Sequence, residues 1–374
     1  MRASLQRKRD GARRFEGSAL DICEQIVRGC FNVRQGYFMT SLTSYPELWA
    51  RDFGRCVPAL LSLGFEREVA QTYRYALAAY QSAGGFALVI TRDQRLFDFP
   101  AYAPDGFALF VSGLKHLGDG GLVAQYRPLL NREIERFYSL VIDPKTGLVR
   151  RHTLFSEAQD YIVRDSSCYS NSACHLLQQS LDAMGLFNPL APYDYRSLVL
   201  DRFWDGDHFL DDQSRPSYPS GDAQLMPLWA GLLGHDPAAR ARLDMILSWM
   251  DAQGLNSPLP TRYGVGPHPR RRMHPLHWLN PWQTDTVWTC LGLHLLEILR
   301  EFDHPRFPSV LARYRTLVES LGCFPEVLDS GTGAFYASLF SMSEDSMLWA
   351  ASLWRLLAER ASREEAPSGA PREE

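Results

Sequence analysis

The sequence predicts an all-α fold in which helical hairpins close into a ring, an (α/α)6 barrel. Three observations lead to this prediction: apolar residues recur at helical spacing in about a dozen stretches, several stretches end at a glycine, and the links between them alternate between short and long. Inner helices would then alternate with outer ones, and the long links would gather at one rim. An open helical solenoid is the alternative, but the unequal lengths of the units favour the closed ring.

Helical spacing of apolar residues runs through most of the chain. The predicted helices cover residues 19–33, 57–63, 66–80, 105–117, 122–141, 167–184, 198–203, 223–233, 237–251, 284–301, 308–321 and 344–357. Glycine stops follow several of them, at Gly64, Gly118, Gly185 and Gly234. The long links are rich in Gly, Pro, Trp, Asp and Tyr, and loops on a rigid scaffold carry most binding residues. Function is therefore expected at the long-link rim.

One domain is predicted over residues 16–358. A chain of 374 residues with 45% hydrophobic content can bury a large core. Residues 1–15 are polar and predicted to be loose, and residues 359–374 mix Glu, Arg, Pro and Ser, which predicts a disordered tail. The basic N-terminus is not followed by an apolar signal region, and no window is long and apolar enough to span a membrane. A cytoplasmic location is expected.

Charge and cysteine content exclude several classes of partner and site. A net charge of -4 gives no reason to expect nucleic acid or an anionic membrane as a partner. Only Lys8, Lys115 and Lys145 are available for a Schiff base or a phosphate loop. The seven cysteines are scattered among apolar residues and are predicted to be reduced core thiols. No CxxC or HExxH spacing occurs, so neither a metal site nor a cofactor is expected.

Residues 45–55, Y-P-E-L-W-A-R-D-F-G-R, contain a tryptophan, an arginine and an aspartate in close succession just before an apolar run. Trp49, Arg51 and Asp52 would thus stand where a buried helix begins, and unpaired amides in a first helical turn favour acceptors. Arg51 and Asp52 would either pair with each other or bind hydroxyl groups such as those of a sugar. The alternative is an Arg–Asp pair that caps a helix against an anchoring tryptophan.

Carboxylates in two long links are the candidates for proton transfer. Glu157, Asp160 and Asp165 precede a predicted helix, and Asp165 is the best placed of them to cap it, which leaves Glu157 and Asp160 for chemistry. Glu326 has apolar neighbours, which would raise the pKa of its carboxyl group, although it would serve equally well as an acceptor for local amides. Two carboxyl groups on separate rim loops suit glycosidic bond hydrolysis, since one protonates the leaving oxygen and the other activates water or attacks the anomeric carbon.

These stretches together resemble the six-hairpin glycosidases, which include glucoamylases, trehalases, processing α-glucosidases and the debranching glucosidase domain. W-A-R-D at residues 49–52 looks like the family's Trp-x-Arg-Asp, whose charged pair holds the sugar. D-P-K-T-G-L followed by E-A-Q-D-Y is similar to the segment with the general acid, and F-P-E-V-L-D-S-G-T-G to the segment with the general base. R-F-W-D-G-D-H-F-L at residues 202–210 and D-A-Q-L-M-P-L at residues 222–228 also match. The resemblance spans roughly residues 45–357.

The resemblance implies an inverting glycoside hydrolase that acts on an α-linked glucosyl or related sugar in a small glycoside or oligosaccharide. Asp160 falls on the position of the acid and Glu326 on that of the base, with Glu157 as the other candidate for the acid. No extra β-sandwich is evident, which favours a small substrate. The oligomeric state stays open. The residues predicted to contact the substrate are Trp49, Arg51, Asp52, Asp105, Glu157, Arg164, Trp278 and Trp282.

Two rival functions stay open on the same barrel. One is a catalytically silent carbohydrate-binding or scaffold protein, because the family often has a tryptophan where Ala158 or Gln159 stands. The other is a sugar epimerase or cyclase, which would need a histidine pair or a metal cluster. Residues 254–282 contain His274 and His277, but too few acids accompany them for a metal site, so aromatic platforms for sugar rings fit better. Residues 270–272, three arginines, would bind an anionic group or simply be solvated.

Overall fold

Twelve helices form the described part of the computed structural model, which covers residues 11–160, 162–214, 217–266, 282–338 and 342–365. They are α1 Ala19–Cys30, α2 Ala50–Ser62, α3 Glu66–Ala83, α4 Pro104–Leu117, α5 Gly120–Val141, α6 Cys168–Ala183, α7 Tyr195–Phe203, α8 Gly221–Trp229, α9 Pro237–Ala252, α10 Thr289–Glu301, α11 Phe307–Leu321 and α12 Ala350–Glu365.

The even-numbered helices form a closed inner ring. Each of α2, α4, α6, α8 and α10 packs against the next one, and α12 packs against both α10 and α2. The odd-numbered helices lie outside, each against an inner partner or an outer neighbour. The predicted (α/α)6 barrel is therefore confirmed, and the contact between α12 and α2 rules out an open solenoid.

Burial distinguishes the inner helices from the outer ones. Every residue of α4 from Pro104 to Leu114 is buried, whereas α3 buries one face only. A helix that is apolar around its whole circumference belongs in a core or a membrane. Among the described residues, however, no helix combines the length and the apolarity needed to cross a bilayer. The inner helices also approach closely, because a Cβ atom at Gly54 of α2 would collide with the backbone of Leu109 in α4.

Short antiparallel strands join the long links at one rim. They are β1 Phe31–Asn32, β2 Tyr37–Phe38, β3 Leu48–Trp49, β4 Val89–Ile90, β5 Leu96–Phe97, β6 Thr286–Trp288 and β7 Val327–Asp329. β1 pairs with β2, β3 with β4, β4 with β5, and β6 with β7. Every long link precedes an inner helix, so the N-termini of the inner helices all point to this rim.

The seven cysteines are all buried and free, as expected of core thiols.

Ordered contacts extend beyond residues 16 and 358, and α2 starts earlier than predicted. The Arg13 amide donates to Asp345 Oδ2 at 2.7 Å and the Phe15 amide donates to the Gly322 carbonyl oxygen at 2.6 Å, so contacts with the barrel begin before residue 16. Helix α12 continues to Glu365, seven residues past the predicted limit of 358, and Glu359 pairs with Arg300 at 2.5 Å. Helix α2 begins at Ala50 rather than at residue 57, since buried polar residues in its first turns hide the apolar pattern.

Candidate active site

A cavity of about 340 Å³ lies among the long links, at the N-terminal ends of the inner helices. Its aromatic lining includes four tryptophans, Trp49, Trp282, Trp288 and Trp349. Two tyrosines and two phenylalanines complete this lining, Tyr45, Tyr263, Phe97 and Phe99. The charged residues in its wall are Arg51, Asp52, Arg55, Asp160 and Glu326. The structure thus brings together both predicted catalytic carboxylates and four of the eight predicted substrate contacts.

Arg51 connects two inner helices to the loop that carries Asp160. Its Nε lies 2.6 Å from Asp105 Oδ2, and its Nη2 donates to Asp105 Oδ1 at 3.0 Å. Its Nη1 donates to Asp160 Oδ1 at 3.1 Å, and Nη2 also donates to Ser156 Oγ at 3.1 Å. Asp105 is fully buried in the first turn of α4. The charge of Arg51 is therefore already neutralised within the protein.

Asp160 is held in one orientation at the cavity wall. The Ser156 hydroxyl donates to its Oδ1 at 2.8 Å, and Gln283 Nε2 donates to its Oδ2 at 3.2 Å. The Tyr263 hydroxyl donates to the Ala158 carbonyl oxygen, which fixes the backbone two residues away. Burial raises the pKa of the Asp160 carboxyl group, and the nearby Arg51 and Ser156 oppose this shift only in part. Asp160 is thus more inclined to keep its proton than an exposed aspartic acid.

Glu326 enters the cavity from a loop on the far side of the ring. Its amide donates to the Glu344 carbonyl oxygen at 2.8 Å, and its carbonyl oxygen accepts from the Thr289 amide, at the start of α10, at 3.2 Å. The Glu344 amide lies 3.3 Å from Glu326 Oε2, to which it donates. The loops with Asp160 and Glu326 precede the third and the sixth inner helix. The two carboxylates therefore approach the cavity from opposite sides.

Asp52 pairs with a tryptophan instead of with Arg51. Trp349 Nε1 donates to Asp52 Oδ1 at 2.7 Å, and no side-chain hydrogen bond caps the start of α2. Burial raises the pKa of Asp52, although Arg55 and Arg51 act against this shift. The structure therefore contradicts the expectation that Arg51 and Asp52 pair with each other, because Arg51 is bound to Asp105 and Asp160. It also contradicts the alternative that such a pair caps the helix.

Three predicted substrate contacts, Asp105, Glu157 and Arg164, are absent from the cavity lining. The Arg164 side chain is 1% exposed, and its Nη1 lies 2.7 Å from Asp222 Oδ2 and 3.3 Å from Glu157 Oε2. Its Nε lies 3.1 Å from Asp211 Oδ1. These residues lie behind the wall of the cavity rather than at its surface, so the structure does not bring them together with the other predicted substrate contacts.

Glu157 is enclosed by donors and does not reach the cavity. The hydroxyls of Ser167 and Ser170 each donate to its Oε1 at 2.6 Å. Burial raises the pKa of its carboxyl group to about 6. The N-cap of α6 is Ser167, whose Oγ accepts from the Ser170 amide at 3.0 Å, and not Asp165. Asp165 instead accepts from Arg151 Nε at 2.9 Å and from the His152 amide at 2.8 Å.

Some predicted residues lie outside the described part of the chain. They are Trp278, His274, His277 and residues 270–272. Within it, the sequence interpretation missed Arg55, Trp288 and Trp349. A signal for each exists: Arg55 lies one helical turn after Arg51, and Trp49, Trp288 and Trp349 each immediately precede the first residue of an inner helix.

Several solved structures have folds similar to that of this chain. A rhamnosidase from Klebsiella oxytoca with rhamnose bound has a TM-score of 0.66 and 15% identity, with 93% of this chain and 66% of that chain covered. The GH63 mannosylglycerate hydrolase from Thermus thermophilus in complex with glucose has a TM-score of 0.62 and 15% identity, over 91% of this chain and 100% of that one. A bacterial glucoamylase complexed with acarbose has a TM-score of 0.65 and 11% identity, over 92% and 55%.

The fold is that of the six-hairpin glycosidases. The resemblance noted from the sequence motifs is thereby confirmed at the level of the fold. No family model matches the sequence. No curated protein matches it either. This chain spans the whole of the six-hairpin mannosylglycerate hydrolase but only about two thirds of the rhamnosidase and just over half of the glucoamylase.

Proposed function

We propose that the protein is a glycoside hydrolase that cleaves its substrate with inversion, with Asp160 as general acid and Glu326 as general base. One observation carries this proposal: two carboxylates from opposite sides of the ring line a single aromatic cavity. Glycosidic bond cleavage needs a proton donor on one side of the bond and, for inversion, a base that activates water on the other. The aromatic side chains offer apolar faces to sugar rings.

Asp160 fits the role of the acid better than Glu157 does. Asp160 lines the cavity, whereas Glu157 is buried behind the wall and accepts from two serine hydroxyls. Burial also raises the pKa of Asp160, which favours the protonated form that a general acid requires.

The proposed reaction needs no group beyond the two carboxylates and water. Asp160 transfers its proton to the glycosidic oxygen while the bond between that oxygen and the anomeric carbon breaks. Glu326 takes a proton from a water molecule, and the water oxygen bonds to the anomeric carbon from the opposite face. Arg51 Nη1 stabilises the Asp160 carboxylate that this step produces. Proton exchange with solvent then restores both carboxyl groups.

A small glycoside, with an α-linked glucosyl or related sugar, is the proposed substrate. The cavity volume of about 340 Å³ lies near the lower end of the range for ligand pockets, roughly 300–1,000 Å³. Such a space fits a small glycoside better than a long stretch of polymer. Two proteins of this fold carry glucose and rhamnose in their structures, which supports a sugar as the ligand.

The test is a panel of aryl glycosides and disaccharides, incubated with purified wild-type protein and with Asp160→Asn and Glu326→Gln. Asp201→Asn, on the outer helix α7 and exposed, is the matched control. At least one glycoside should be hydrolysed by the wild type and the control, and on members with poor leaving groups each site variant should be slower by about 10²–10⁴-fold. Hydrolysis that survives both site substitutions would overturn the assignment. Sugar binding without hydrolysis of any member would instead favour the carbohydrate-binding rival.

A further inference from the structure

A second guanidinium group, that of Arg55, lines the cavity, and two of its nitrogen atoms have no hydrogen-bond partner among the described residues. Arg55 lies four residues after Arg51 on α2, so both side chains project from the same helical face. Arg55 is 6% exposed, and its Nε and Nη1 atoms are buried without a hydrogen-bond partner in the described part of the protein. Arg51, in contrast, is bound to Asp105, Asp160 and Ser156.

The surroundings of Arg55 hold it in place but do not satisfy its donors. Its guanidinium carbon lies 5.9 Å from the centre of the Trp349 ring, a cation–π distance. The Cys290 thiol beside it is only a weak acceptor. A buried donor that stays unpaired is unfavourable, so a ligand that brings an acceptor oxygen to Arg55 gains from the contact.

Trp349 also holds the acceptor next to this donor. The same indole whose ring faces Arg55 donates from Nε1 to Asp52 Oδ1 at 2.7 Å. Asp52 and Arg55 are three residues apart on α2 and therefore neighbours on its surface, and both line the cavity. One tryptophan thus fixes a carboxylate acceptor beside a guanidinium donor.

We propose that Arg55 and Asp52, rather than Arg51 and Asp52, bind two neighbouring hydroxyl groups of the sugar ring. One hydroxyl accepts from Arg55 and the other donates to Asp52, a match that requires both groups on adjacent ring carbons. Arg55 is then a specificity-determining residue of the cavity. This inference rests on the proposed function for the nature of the ligand.

A neutral sugar fits these charges better than an acidic one. Arg51 is neutralised by Asp105, so among the described residues of the wall Arg55 is the cation that remains to balance the carboxylates of Asp52 and Glu326. A carboxylate on the sugar would add a third negative charge to this wall, and like charges that approach each other in a buried site are unfavourable.

Equilibrium binding tests the inference without any need for turnover. Isothermal titration of the wild type with glucose, mannose, galactose, rhamnose and glucuronic acid finds the tightest monosaccharide, and each monodeoxy form of that sugar is then titrated. Arg55→Met and Arg55→Lys are compared with Arg28→Met, whose side chain is 61% exposed on α1. Thermal unfolding of each variant shows whether it is folded.

We expect Arg55→Met to weaken binding of the tightest sugar by about 10- to 100-fold, the effect of losing hydrogen bonds from a charged donor. One monodeoxy sugar, which lacks the hydroxyl that Arg55 binds, should bind Arg55→Met and the wild type equally. The other monodeoxy sugars should retain the full loss, Arg55→Lys should recover part of it, and Arg28→Met should change nothing.

Several outcomes would overturn the inference. Equal weakening of every monodeoxy sugar would mean that Arg55 only supports the wall, and a preference for glucuronic acid would make it the partner of a carboxylate. Binding with the expected hydroxyl dependence but without hydrolysis of any glycoside would leave the inference standing and remove the proposed function. Hydrolysis without that dependence would do the reverse, and the absence of both sugar binding and glycoside hydrolysis would remove both.

Discussion

Arg51 Nη1 donates to Asp160 Oδ1 at 3.1 Å while the other edge of the same guanidinium binds Asp105. The proposed acid is therefore fixed to α2 and α4 through a single side chain. The contact has two effects on Asp160 that act against each other in catalysis. It orients the carboxyl group for proton transfer, but the positive charge of Arg51 lowers the pKa of that group and so favours loss of the proton. Both effects are open to measurement.

Arg51→Lys should separate these effects. A lysine ammonium is a single point charge and cannot bridge Asp105 and Asp160 as the planar guanidinium does. With less positive charge at Asp160, its pKa should rise, so the alkaline limb of the pH dependence of kcat should move to higher pH, because the acid works only below its pKa. Arg136→Lys, at a partly exposed pair with Glu133, is the control. An unchanged alkaline limb would show that Arg51 does not act on the acid.

Asp160→Asn and Glu157→Gln together test which carboxyl group is the acid. Asp160→Asn should lose about 10²–10⁴-fold in kcat on glycosides with poor leaving groups. It should retain turnover of glycosyl fluorides, because a good leaving group needs less protonation. Glu157→Gln should keep its turnover on both substrate types. The opposite pattern would identify Glu157 rather than Asp160 as the general acid and would leave the proposed mechanism unchanged.

Arg164 is expected to be the most important buried charge for stability. Arg164→Met leaves Asp211 and Asp222 buried without their partner, and loss of one member of a buried ion pair costs about 3–5 kcal/mol. Urea unfolding followed by circular dichroism gives the free energy of unfolding. The exposed pair of Arg28 with Glu24 provides the control, since Arg28→Met should cost at most about 1 kcal/mol. Equal losses in the two variants would contradict the buried network.

Glu157 should make stability depend on pH. Its pKa rises from 4.5 to about 6 in the folded protein, so the folded state binds the proton more tightly than the unfolded state does. The stability that Glu157 contributes is complete below pH 4.5 and is lost as the pH rises through 6. The difference in unfolding free energy between wild type and Glu157→Gln should fall by about 2 kcal/mol between about pH 4 and about pH 7.

A second glutamate provides a control of opposite sign. A hydrogen bond from Arg315 lowers the pKa of Glu319, so its contribution to stability is present at neutral pH and is lost as the pH falls. The difference between wild type and Glu319→Gln should therefore rise with pH in the same urea titrations. If both differences changed in the same direction, the buried position of Glu157 would not be the cause.

The architecture was predictable because each inner and outer helix leaves its own apolar pattern and because long links precede the inner helices. The start of α2 was not, since Arg51, Asp52 and Arg55 face a cavity and interrupt that pattern. A linear pattern cannot show whether a charged side chain points into a cavity or into the wall behind it. Arg164 and Asp160 are four residues apart, and only the fold separates their surroundings.

The roles of Asp160 and Glu326 as an acid–base pair are the central claim, and the stereochemistry of hydrolysis tests it most directly. Proton NMR spectra recorded during hydrolysis of the best glycoside by wild-type protein identify the anomer that forms before mutarotation. The account predicts that the inverted anomer appears first, since Glu326 directs water to the face opposite the leaving group. First appearance of the retained anomer would contradict it, because Glu326 would then attack the anomeric carbon itself.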